Sequence, residues 1–234
     1  MSQSQLTDDN LVINAAKATD ETGFTFAEEI YPLSAPASIQ SEGIGALRTH
    51  LIAQHLQDGR RSLAICGASS GVGTTFVATN LAAAFSLAGI RTLLVDANLR
   101  KPDVQKLITP SAEVKGLSDY LRDDSLGLYA CVQENVIPNL SVMFAGDVVN
   151  NPQELLASRR FIEAMEDCIR DYEIVLVDTP AGNESADARR IAASLRYALI
   201  VGCRNVSFLS DLKTFSKELQ SDRAKVIGTF LNDF

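Results

Sequence analysis

The sequence offers little from which to build a metal cluster or a histidine-based catalytic site. It has two histidines, His50 and His55, and four scattered cysteines, Cys66, Cys131, Cys168 and Cys203, with no C-x-x-C pair. Clusters and redox dithiols need closely spaced ligands, so neither is expected. Cys66 and Cys203 fall in apolar runs and read as buried, reduced strand residues. His50 and His55 are expected on the surface of one helix. Positive charge is also short: 21 basic against 29 acidic residues give a formal net charge of -8. A general nucleic-acid binder would show a basic face, so no nucleic-acid partner is expected. Long hydrophobic runs are missing too. The longest, Ile174 to Val177 and Ala198 to Cys203, fall far below the roughly 20 residues that cross a bilayer. The first residues, MSQSQLTDDN, carry no basic-then-apolar signal pattern. Work at a membrane would therefore need a partner to hold the protein there.

What is present is enough apolar material for one substantial core: 46% of 234 residues. Residues 1–37 are polar, lack a sustained period and are broken by Pro32 and Pro36, which reads as a mobile N-terminal arm. Residues 38–234 read as the folded domain. Ser38 to Gln57 has the spacing of an amphipathic helix, with Ile44, Leu47, Leu51 and Leu56 near one face. From Arg61 onward short apolar runs alternate with helical segments. The strands are SLAIC, RTLLVD, NLSVMFAG, EIVLVDTP, YALIVGCR and KVIGTFLN. Between them lie TFVATNLAAAFSLAG, closed by Gly89, a short GLSDYLRDD helix and one long helix from Asn151 to Tyr172. ADARRIAASLR and DLKTFSKELQS complete the helices. Asn151 is the expected cap of the long helix, with Pro152 at its first position. Apolar strands separated by helices predict an α/β fold: a doubly wound, mostly parallel sheet with helices on both faces.

The first strand runs into a glycine-rich turn, CGASSGVGTT, from Cys66 to Thr75. A strand–turn–helix of this kind suits anions, because backbone N–H groups converge on the helix N-terminus. Two readings fit. GASSGVG resembles the cofactor turn of short-chain dehydrogenases, with Asp96 at the next strand end placed to hold a ribose. That chemistry also needs Tyr-x-x-x-Lys, and none of Tyr31, Tyr120, Tyr129, Tyr172 or Tyr197 has lysine four residues later. Alternatively the turn is a nucleoside-triphosphate P-loop. Against G-x-x-x-x-G-K-[ST], Ala68 replaces the first glycine and Thr74 the lysine, while Thr75 keeps the hydroxyl that ligates Mg²⁺.

The segments after the turn favour the second reading. VDANLRKP (Val95 to Pro102) resembles the Asp-x-Asp-x-Arg-x-Pro segment of bacterial tyrosine kinases of exopolysaccharide export, with Asp96, Arg100 and Pro102 matching and Asn98 in place of the second acid. LVDTPAG (Leu176 to Gly182) resembles that family's Walker B segment, with Asp178 as its acid. GLSDYL (Gly116 to Leu121), NLSVMFAG, NPQELLAS (Asn151 to Ser158) and VIGTFLN (Val226 to Asn232) are similar to the family in the same order. The resemblance covers roughly Ser38 to Asn232 and implies a deviant-Walker P-loop fold that binds ATP or ADP with Mg²⁺. It implies that Ser70, Gly71, Val72, Gly73, Thr74 and Thr75 cradle the phosphates. Thr75, Asp96 and Asp178 would serve the metal, with Asp96 and Asp178 as the catalytic carboxylates. Arg204 and Asn232 would lie at the base.

The sequence departs from the family at three places. Thr74 stands where the lysine would be, and losing a charge-assisted hydrogen bond of roughly 1.5–3 kcal/mol weakens binding about tenfold to a hundredfold. No tyrosine follows Tyr197 in this sequence, so autophosphorylation on a tyrosine-rich tail of the family's kind is not expected. The family's ring-forming Glu-x-x-Arg-x-x-Arg survives as Glu42, Gly45 and Arg48; with Arg100 these are the interface candidates for a homo-oligomer. The expectation is a degenerate member, peripheral to the cytoplasmic face of the membrane and acting through a separate membrane polysaccharide co-polymerase. A partitioning or positioning ATPase of the same class and a dehydrogenase-like NAD(P) binder stand as alternatives. The positioning class would carry a signature lysine where this chain has Ser69.

Overall fold

In a computed structural model, residues 23–233 are described. The strands are β1 (Phe24–Phe26), β2 (Ser62–Gly67), β3 (Thr92–Asp96), β4 (Ile108–Pro110), β5 (Gln133–Ile137), β6 (Leu140–Met143), β7 (Ile174–Asp178), β8 (Tyr197–Cys203) and β9 (Lys225–Asn232). Seven of them form one sheet in the order β5-β6-β3-β7-β2-β8-β9. Every neighbouring pair is parallel except β5 with β6. This is the expected doubly wound sheet.

The central strands are apolar on both sides because both faces are covered. In β2, Leu63 and Ile65 point to one core, while Ala64 and Cys66 point to the other. In β7, Ile174 and Leu176 alternate with Val175 and Val177 in the same way. The first face is covered by α2 (Ile39–Leu51) and α3 (Thr74–Leu87), through Leu51, Val77, Leu81 and Phe85. The opposite face takes α7 (Arg159–Asp171), α8 (Asp187–Leu195) and α9 (Leu209–Ser221), through Phe161, Met165, Ile191 and Phe215. The remaining helices are short: α1 (Tyr31–Ser34), α4 (Val104–Leu107), α5 (Leu117–Arg122) and α6 (Pro152–Ala157).

Several local expectations are corrected. Packing does not begin at residue 38. Phe24 to Phe26 pair with Pro110 to Ile108 in a separate antiparallel ladder, and Ile30 and Leu33 are buried in the core under α3. Residues 1–22 of the expected arm lie outside the described residues. The helix expected from Ser38 to Gln57 is capped by the Ser38 hydroxyl, which accepts from the Ser41 N–H, and passes at Ile52–Leu56 into a π-helical turn. His55 lies in that turn and, contrary to expectation, is not at the surface: its ring is fully buried, bonds the Ser62 carbonyl at 2.9 Å and meets Tyr197 edge-on. His50 is exposed as expected.

The long helix after Asn151 is two helices. Ser158 is extended, and its hydroxyl accepts from the Phe161 N–H, so it ends α6 and caps α7. Asn151 stands at the cap position without a side-chain cap bond. Gly89 closes α3 with φ +79°, as expected. Cys66 is buried, whereas Cys203 is half-exposed near the last strand end.

Candidate nucleotide site

The glycine-rich turn leaves the carboxyl end of β2 and enters α3, with Gly73 at φ +85° as the residue before the helix. Long-range bonds hold it in place. The Gly182 and Asn183 N–H groups donate to the Gly67 and Ala68 carbonyls at 2.8 and 3.0 Å, tying the turn to the segment after β7. Thr179 Oγ1 donates to the Ile65 carbonyl at 3.0 Å. From the other side, Asn232 Nδ2 donates to the Val72 carbonyl at 3.1 Å, so the last strand also clasps the turn. The clasp explains Gly73: a Cβ there would run into Asn232 Nδ2, and its backbone is left-handed.

A cleft of about 260 Å³ opens over the turn. Ser70, Gly71, Gly73, Thr74 and Thr75 line it, and across from them so do Asn98, Lys101 and Glu184. Val72 does not line it; its side chain is buried in the core under α3, where it anchors the loop. The cleft therefore joins backbone of the loop to the first turn of a fourteen-residue helix, α3, which carries partial positive charge at that end.

Thr75 and the two strand-end acids form the chemical centre. Thr75 Oγ1 donates to Asp178 Oδ2 at 2.5 Å. Asp178 is fully buried, and its other oxygen, Oδ1, has no hydrogen-bond partner among the described residues. Burial pushes the Asp178 carboxyl well above the usual carboxylate range, and the neighbouring Asp96 charge adds to this; the Thr75 hydrogen bond works the other way. Asp96 is also fully buried, and burial pushes it up to about 7. Its oxygens accept from the backbone N–H groups of Asn98 at 3.0 Å, Asp103 at 3.3 Å and Val104 at 3.2 Å. Asp96 thus shapes the loop that follows β3, whereas Asp178 holds Thr75 and keeps an oxygen in reserve.

An unpartnered, desolvated carboxylate oxygen beside a threonine hydroxyl is a donor set for a hard cation. Among the described residues no cluster of three or more His, Cys, Asp or Glu could hold a metal. Thr75 and Asp178 fit Mg²⁺ in the mode it prefers, with one or two carboxylates and phosphate oxygens completing the shell. Cys66, at the start of the turn, is fully buried, and burial pushes its thiol up to about 12, which disfavours the thiolate.

The other expected residues are placed as follows. Arg204 is at the end of β8, its N–H donating to the Asn232 carbonyl and its guanidinium paired with Asp233 at 2.9 Å. Asn232 is brought to the loop, with Oδ1 buried and unpartnered. Glu42 is exposed on α2, while Arg48 donates to the Ala84 carbonyl of α3 at 3.2 Å. Arg100 pairs with the buried Asp187 of α8 at 2.8 Å. Glu184 in the cleft was not among the expected site residues, and Lys101, close to Asp96 in sequence, was not expected to substitute for the missing lysine, yet it lines the cleft. Lys101 follows Arg100 directly, and only the path of the chain between β3 and α4 shows which of the two faces the loop.

Residues 63–234 match the family described as the CobQ/CobB/MinD/ParA nucleotide binding domain. The chain belongs to this family. The glycine-rich turn is therefore its P-loop rather than a dehydrogenase turn. Within the family the chain is homologous to bacterial tyrosine kinases. It is 33% identical over 197 residues to tyrosine-protein kinase wzc of Salmonella typhi, covering 84% of this chain and 27% of the relative. This chain thus spans about a quarter of that protein. It is 28% identical to CapB of Staphylococcus aureus, over 87% of this chain and 88% of that one. The solved kinase domain of Escherichia coli tyrosine kinase ETK superposes with a TM-score of 0.80 at 28% identity, over 87% of this chain and 79% of that chain. No helix among the described residues is long and apolar enough to cross a membrane.

Proposed function

We propose that this protein binds ATP or ADP with Mg²⁺ and uses the bound state to regulate exopolysaccharide or capsule polymerisation and export, acting with a separate membrane co-polymerase. The observation that carries the reading is the hydrogen bond from Thr75, which lines the cleft, to Asp178 buried behind it, with Asp178 Oδ1 unpartnered among the described residues. Loop amides and the α3 N-terminus would hold phosphate oxygens. Thr75 and Asp178 would hold Mg²⁺, whose role is to screen the phosphate charge. Asn232, already at the loop, would contact the base. Asp96 orders the following loop and accepts a proton readily near neutral pH, the property a base toward an acceptor hydroxyl needs.

Thr74 sets the character of the site. Its hydroxyl can accept or donate one hydrogen bond but cannot offset charge that develops on a transferred phosphoryl group. The site therefore favours binding over turnover, and regulation by occupancy over autophosphorylation. A positioning ATPase of the same family is the second reading, favoured by the family match itself; Ser69, at the position of that class's signature lysine, argues against it.

The test is biochemical and genetic. The protein should co-purify with a polysaccharide co-polymerase from its own source, and cells carrying Asp178→Asn should make polymer of altered length or amount. Normal polymer in that strain, with no association with any co-polymerase, would remove the regulatory reading.

A further inference from the structure

We infer that Lys101 supplies, from the loop between β3 and α4, the positive charge toward nucleotide phosphates that position 74 lacks. The inference rests on the nucleotide-binding reading above and deepens it by naming the residue that recognises the polyphosphate. Lys101 is the one cation among the described residues lining the P-loop cleft. The cleft's other charged side chains, Asp103 and Glu184, are acidic, so without Lys101 the charge facing a phosphate would be repulsive.

The chain presents Lys101 by design of its loop. Asp96 gathers the loop by accepting from Asn98, Asp103 and Val104, and the Asn98 side chain accepts from the Lys101 N–H at 3.2 Å. Pro102 restricts the backbone just beyond. Arg100 is turned away and engaged with Asp187. Lys101 Nζ is left with a single partner, Glu184 Oε1, at 3.6 Å, with the lysine side chain 72% exposed. An exposed pair of that length contributes little. A phosphate carries more charge than Glu184 and bonds lysine as a point charge, so it displaces the carboxylate readily. A flexible exposed lysine offers affinity without the fixed placement that stabilises a transition state, which agrees with binding rather than fast turnover.

The experiment is calorimetric titration of ADP–Mg²⁺ into the full chain as wild type, Lys101→Met, Thr74→Lys and the double variant. Lys101→Met should bind about tenfold or more weakly, as expected for a lost charge-assisted bond, and should show a shallower dependence on salt. In the Thr74→Lys background the same substitution should cost threefold or less, because the charge is then supplied from the loop. Thermal unfolding checks that Lys101→Met stays folded. Binding by Lys101→Met within twofold of wild type overturns the inference while leaving nucleotide binding intact. An equal loss in both backgrounds also overturns it, because Lys101 would not then be standing in for the missing lysine. If wild type itself fails to bind ADP–Mg²⁺, the nucleotide reading falls and the inference with it.

Discussion

Asp96 and Asp178 are register partners across β3 and β7, so two fully buried carboxyls end adjacent strands side by side. Each is raised by burial, and Asp178 is raised further by its neighbour's charge. A raised folded pKa means the native state holds a proton the unfolded chain has lost. The contribution to stability is then full below the unfolded value of about 4 and is lost as pH rises through about 7. The slope for one such group is at most about 1.4 kcal/mol per pH unit. Urea unfolding at intervals between about pH 4.5 and 7.5 should show wild type losing stability relative to Asp96→Asn as pH rises. Parallel curves for the two proteins would show that Asp96 keeps an ordinary carboxyl pKa.

Metal and nucleotide should oppose that trend. Cation ligands must be deprotonated, so ADP–Mg²⁺ should release protons on binding near pH 6 and bind more tightly at pH 8. The calorimetric enthalpy measured in buffers of different ionisation heat reads the proton release directly. Proton uptake would contradict it.

Gly73 should not tolerate alanine. Its φ of +85° costs an L-residue about 1–2 kcal/mol, and the new methyl would displace Asn232 from the loop. Gly73→Ala should lower stability by more than about 1 kcal/mol and weaken nucleotide binding. Adding Asn232→Ala should recover only part of the stability, because the backbone strain stays. Unfolding in urea measures the first effect and calorimetry the second.

The Arg100–Asp187 pair is partly sequestered: Asp187 is 1% exposed and its Oδ1 has no partner among the described residues. Removing the arginine leaves a buried carboxylate uncompensated, a loss of about 3 kcal/mol. Arg100→Ala should therefore destabilise strongly, and Arg100→Ala with Asp187→Asn should recover much of it. A small effect of Arg100→Ala on denaturant midpoint would instead leave Arg100 available for a partner subunit.

The central sheet was legible because β2, β3, β7 and β8 are apolar on both faces, a pattern that helices on both sides require. The β1–β4 pair was not: each strand is three residues long, and their partners are more than eighty positions apart. The break at Ser158 hides inside a continuous helical period, visible only in the extended backbone that lets its hydroxyl cap α7. His55 was expected at the surface, yet it lies four residues after Leu51, on the face that carries the buried Ile44 and Leu51, and that face goes into the core. At the site, Thr75 and Asp178 were readable as motif residues. The Asn232 clasp spans 160 positions, and the separate destinations of Arg100 and Lys101 depend on a loop gathered by Asp96.

The most direct test of nucleotide binding is calorimetric titration of ADP into wild type and Thr75→Ala, each with Mg²⁺ and with excess chelator. Saturable binding by wild type that weakens with chelator, and again in Thr75→Ala, is the predicted result. Absence of binding by wild type at millimolar ADP–Mg²⁺, or equal binding with and without Mg²⁺ in both proteins, would contradict the account.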